Sequence, residues 1–119
     1  MSSNNLTLNL IEGSVSFSFS VEAAQKVKAA IADLMQQLKA ATVQKTTGGT
    51  SGKPTPQKPM EFQYTGDVFL EIFCNPNIWP SPFAAKVLIT LRDDRIRLTT
   101  EAELTRVIED IDQYLDQAS

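Results

Sequence analysis

The chain has 119 residues, 42% of them apolar, with 11 basic against 14 acidic side chains, a single cysteine and no histidine. That is one domain's worth of chain, enough to bury a core without disulfides or metal. One thiol cannot close an internal disulfide, no apolar run nears the roughly 18 residues that span a bilayer, and a formal charge of −3 offers no general attraction to phosphate backbones. The first residues lack the basic-then-apolar order of a secretory signal, so the expected setting is a reducing cytoplasm with no membrane partner.

In chain order, Leu6, Leu8 and Leu10 alternate along one face, Glu12 and Gly13 mark a turn, and Val15, Phe17 and Phe19 alternate again. This predicts a two-strand hairpin over 6–19 whose other face carries the small hydroxyls of Ser14, Ser16, Ser18 and Ser20. From Ser20 the apolar spacing changes to three and four through Ala24, Val27, Ile31, Leu34, Leu38 and Ala41. The spacing predicts a helix over 21–42, with Ser20 placed to accept a hydrogen bond from its first free amides.

Residues 44–59 read QKTTGGTSGKPTPQKP and contain no large apolar side chain. Burial there cannot offset the entropy of ordering, so a flexible linker inside the domain is expected. Its lysines, Lys45, Lys53 and Lys58, are either solvated charge or a tethering arm for an acidic partner. The run GGTSGKP does not make a phosphate-binding loop, because Thr47 stands where the first glycine belongs and Pro54 where the magnesium-binding hydroxyl belongs.

Beyond the linker, 61–73 reads as extended chain interrupted near Gly66 and Asp67, with Val68, Leu70 and Ile72 on one face and Phe69 and Phe73 on the other. The stretch NPNIWPSP at 75–82 must be a rigid irregular loop. Val87, Ile89 and Leu91, a turn at Asp93 and Asp94, then Ile96 and Leu98 predict a second hairpin. Thr100 with Glu103 has capping-box spacing ahead of a final helix carrying Leu104, Val107, Ile108, Ile111, Tyr114 and Leu115.

The expected fold class is therefore α+β: one domain over 1–119, an antiparallel sheet of about five strands, and two helices packed on one face. The two hairpin-helix units can be laid over one another as a candidate internal duplication, although any two amphipathic units of this kind would also align.

Absence of histidine removes the commonest general base and imidazole ligand. Cys74 reads as a buried structural thiol, Asp93 and Asp94 as turn residues, and Glu109, Asp112 and Asp116 as a solvated helix face, so no catalytic, cofactor or metal residue is assigned. Lys86, Arg92, Arg95 and Arg97 on the second hairpin give only weak grounds for nucleic-acid binding. The informative feature is the far face of the sheet, where Phe69, Phe73 and Leu88 are expected beside the small serines. Ile78, Trp79 and Phe83 either join that apolar patch or fold over it as a lid.

The segment 61–115, above all FCNPNIWPSPFAAKVLITLRDDRIRLTTEAELTRVIEDIDQYL, resembles small uncharacterised proteins of cyanobacteria. The resemblance implies a bacterial cytoplasmic setting and carries no site residues. The order of strands and helix from Val68 onward is also similar to the COMM interaction domain, in topology alone. The expected function is a non-catalytic protein-binding or assembly module that self-associates through Phe69, Phe73, Ile78, Trp79, Phe83 and Leu88. The alternative is a small-ligand sensor or enzyme with a pocket under the 75–83 loop.

Overall fold

The computed structural model describes residues 5–47 and 58–118. Strands β1 (Asn5–Leu10) and β2 (Gly13–Ser18) form an antiparallel hairpin, followed by helix α1 (Val21–Thr47). Four strands then run as a meander: β3 (Met60–Thr65), β4 (Phe69–Cys74), β5 (Lys86–Arg92) and β6 (Arg97–Glu103). Helix α2 (Leu104–Ala118) closes the order.

The hairpin turns at Ile11 and Glu12, one residue earlier than the sequence suggested, because Leu10 pairs with Gly13. Gly13 has φ of +143°, backbone that only glycine adopts without strain. Leu6, Leu8 and Phe17 are buried, and on the polar face Thr7 and Ser16 hydroxyls meet at 2.6 Å. Ser20 caps α1 as expected, its Oγ accepting from the Ala23 N–H at 3.1 Å. The stripe Ala24, Val27, Ile31, Leu34 and Leu38 is buried.

The helix continues past the expected end at 42 to Thr47, so 44–47 is helical rather than linker. No glycine or proline interrupts the sequence before Gly48, and nothing stops the helix sooner. Of the rest of the expected linker, 48–57 lies outside the described residues, and Lys58 and Pro59 are exposed and irregular.

The single five-stranded sheet is corrected: the chain forms a two-stranded sheet and a four-stranded one. The hairpin packs onto the larger sheet instead of extending it. The Phe19 and Tyr64 rings meet edge to face at 5.3 Å between centroids, and the tip touches β6 where Ile11 N–H approaches the Glu101 carbonyl at 3.4 Å. The edge of β1 is turned to α2, where Asn9 meets Asp110.

The capping box is likewise corrected. Thr100 sits within β6 opposite Ile89, and α2 begins at Leu104, whose N–H donates to the Ala85 carbonyl at 3.0 Å. A backbone acceptor just ahead of β5 takes one of the helix's free amides, where a side-chain cap was expected. Ile96, expected in the second strand of the second hairpin, lies exposed in the β5–β6 turn ahead of it.

One cluster of buried side chains draws on both helices, the hairpin and the core-facing side of the four strands, including Leu70, Ile72, Val87, Ile89 and Ala102. The two hairpin-helix units differ in sheet membership and in helix length, 27 residues against 15, and the duplication is not confirmed. Among the described residues no helix is long and apolar enough to cross a membrane.

Candidate functional site

The register of the meander fixes which side chains share the face turned away from the core, since paired residues point the same way. At the end nearest the β3–β4 and β5–β6 turns stands the row Thr65, Phe69, Arg92, Arg97. The middle row is Gln63, Glu71, Thr90, Thr99, and the third is Glu61, Phe73, Leu88, Glu101. Lys86 and Glu103 face each other beyond it.

Within these rows the polar groups are partly engaged. The Arg92 guanidinium carbon lies 4.4 Å from the centroid of the Phe69 ring, a cation–π contact worth about 0.5–1 kcal/mol on an exposed surface. Gln63 donates from Nε2 to Glu71 Oε2 at 3.0 Å, and the Thr90 and Thr99 hydroxyls approach at 3.4 Å. Phe69 and Phe73 are half-buried by their neighbours, while Leu88 is 42% exposed. None of the three belongs to the core cluster or packs against it.

The six residues singled out by sequence therefore separate. Phe69, Phe73 and Leu88 gather on the open face as the alternation implies. The serines expected beside them do not, because they lie on the hairpin, which is not part of this sheet. Trp79 turns inward against the core, its side chain near enough to the Cys74 thiol to act on its pKa. Ile78 and Phe83 stay in solvent, 62% and 82% exposed, on the connection from β4 to β5, where Pro82–Ala84 forms a 3-10 turn. The loop's large side chains thus do not lie as a lid on Phe69 and Phe73. Its start is set by Asn75, whose Oδ1 accepts from the Asn77 N–H at 3.0 Å.

The basic group on the second hairpin also separates. Arg92 and Arg97 are neighbours, but Lys86 stands at the opposite end of β5, roughly 20 Å away at the rise of a strand, and faces Glu103. Asp93 serves the turn: its Oδ1 accepts from the N–H groups of Arg95 and Ile96 at 2.8 and 2.9 Å, which holds its carboxyl below the usual range. Cys74 is buried, and burial pushes its thiol up to about 11 against the opposing effect of the Trp79 side chain. At neutral pH that sulfur is protonated and not a nucleophile.

On the acidic helix face, Asp112 pairs with Lys28 of α1 at 3.0 Å and Glu109 with Arg106 at 3.5 Å. Among the described residues no group of three or more Cys, Asp or Glu side chains is placed to hold a metal ion. Beside the Lys28 pair, α1 and α2 leave a groove of about 350 Å³ floored by Ile31, Met35, Ile108 and Ile111. A smaller cleft of about 190 Å³ between Phe17, Val68, Leu91 and Ile96 opens at the end of the sheet. Neither is lined by residues 75–83.

Sequence reasoning missed Asp110. It is 6% exposed and takes two hydrogen bonds from Asn9. The available signal was its place in the stripe, three residues after Val107 and four before Tyr114, where a carboxylate must be matched by donors. No family model, no curated protein and no solved structure matches this chain.

Proposed function

We propose that this chain is a non-catalytic protein-binding module that self-associates through the open face of its four-stranded sheet, in a cytoplasmic setting. The observation that supports the reading is the gathering of Phe69, Phe73 and Leu88 on a face that is separate from the core cluster. Fully burying a large apolar side chain is worth roughly 1.5–3 kcal/mol, and at the half-buried Phe69 and Phe73 a monomer in water forgoes part of that. Strands of six or seven residues in a four-stranded sheet offer a plane of roughly 400 Å² per partner, below the standard interface size, so the association is weak and concentration-dependent.

Sedimentation equilibrium over a concentration series tests this. Wild type is expected to pass from monomer to dimer, and Phe69→Ser with Phe73→Ser to remain monomeric with its fold retained by circular dichroism. A wild type that stays monomeric throughout, or a dimer indifferent to both changes, overturns the reading.

A further inference from the structure

The open face is charged unevenly along its strands. The row at the turn end carries Arg92 and Arg97, and the third row carries Glu61 and Glu101, with the opposite charges of Lys86 and Glu103 offsetting each other beyond it. Phe69 stands in the first row and Phe73 in the other, so the aromatics are placed symmetrically about the middle row while the charges are opposite. Arg97 and Glu101 lie on one strand four residues apart, roughly 13 Å, too far to neutralise each other. Among the described residues neither side chain has an ion-pair partner.

Resting on the self-association just proposed, we infer that the partner is a second copy laid face to face with its strands antiparallel, about a two-fold axis that crosses the middle row. Two two-fold arrangements bring such faces together. With the axis running along the strands, the two arginine-bearing rows stack at one end, Arg97 over the partner's Thr65 and Arg92 over the partner's Phe69, and Glu61 faces the partner's Glu101 at the other. With the axis across the strands, each arginine row lies over a glutamate row: Arg97 over the partner's Glu101, and Phe69 over the partner's Phe73. Facing glutamates at one end and four arginines gathered in one layer at the other disfavour the first arrangement, and the Arg97–Glu101 pairs at both ends favour the second. An isologous contact repeats every pair twice, so the preference is doubled. One like-charge contact remains in the favoured arrangement, Glu71 against its own symmetry mate, softened by the hydrogen bond that draws Glu71 toward Gln63.

The two axes give opposite signs for the same substitution. With the axis across the strands, Glu101→Arg sets arginine against arginine and raises the dimer dissociation constant roughly tenfold, and Arg97→Glu does the same. The double variant restores the wild-type value, and an equimolar mixture of the two single variants forms a heterodimer tighter than either homodimer. Glu71→Gln removes the contact on the axis and tightens the dimer.

Sedimentation equilibrium on these variants, with circular dichroism to confirm folding, decides the matter. Tightening by Glu101→Arg, or a double variant as weak as its parents, overturns the antiparallel arrangement while leaving self-association through this face intact. Failure of that underlying reading shows separately, as a dimer indifferent to Phe69→Ser with Phe73→Ser or as no dimer at all.

Discussion

Asp110 of α2 holds Asn9 of β1 by both of its oxygens: Oδ2 accepts from the Asn9 backbone N–H at 2.7 Å and Oδ1 from its side-chain amide at 2.9 Å. This pair binds the hairpin to a helix about a hundred residues away in sequence and satisfies a strand-edge donor that has no neighbouring strand. A second contact works alongside it, the Tyr114 hydroxyl donating to the Phe19 carbonyl at 2.5 Å.

The first prediction follows from the carboxylate's two acceptors. Asp110→Ala removes two hydrogen bonds to a charged group and leaves the Asn9 N–H without its acceptor, at an expected cost of about 2–4 kcal/mol. Asn9→Ala keeps the backbone bond and costs about 1 kcal/mol. Urea denaturation of the two single variants and the double variant forms a cycle. A double variant about as destabilised as Asp110→Ala alone is expected, and strict additivity would show that the two residues act separately.

The second prediction separates two glycines that look alike in sequence. Gly13 has positive φ and open space around the position of an added Cβ, so Gly13→Ala meets no side chain and costs about 1–2 kcal/mol through backbone strain alone. At Gly66 a Cβ would come within 2.7 Å of Tyr64 Cε2, so the ring that packs on Phe19 must move. Gly66→Ala therefore destabilises by steric conflict, and Tyr64→Leu in the same chain is expected to recover part of that loss. Thermal melts of the three variants check both mechanisms. A Gly66→Ala penalty unchanged by Tyr64→Leu would rule out the ring as its cause.

What could be read from sequence was set by periodicity. The alternation of Leu6 and Leu8, the three-and-four spacing from Ala24 to Leu38 and the turn at Asp93 are local patterns, and the chain adopts them. The same alternation separated Phe69 and Phe73 from Leu70 and Ile72 and so located the open face. Sheet membership was not legible, because a hairpin with one apolar face serves equally well as two added strands or as a layer packed across the core. The distinction lies in Asp110 and Asn9, which meet only in three dimensions. Thr100 and Glu103 misled because their spacing fits a cap, whereas pairing of Val87 with Ala102 carries β6 through to the start of the helix. The charge pattern of the open face was hidden for a similar reason, since its rows exist only once the register of four strands is known.

The third prediction concerns alkaline pH. Burial raises the Cys74 thiol from an ordinary value of 9.0 to about 11, so the folded protein favours the protonated form more strongly than the unfolded chain does. The resulting stability is fully present below about pH 9 and is lost as pH rises through about 11. Two units of separation correspond to about 2–3 kcal/mol at the upper end of that window. Cys74→Ala, which has no proton to lose, should flatten this part of the curve while costing some stability at neutral pH, where the sulfur fills its place at 2% exposure among the core side chains. The same burial makes the thiol a reporter of opening: alkylation by iodoacetamide at pH 8 should be slow in the native protein and fast in urea. Urea denaturation of wild type and Cys74→Ala at intervals between pH 8 and 11 measures the difference directly. Parallel curves for the two proteins, together with rapid alkylation of the native chain, would show that Cys74 is open to solvent.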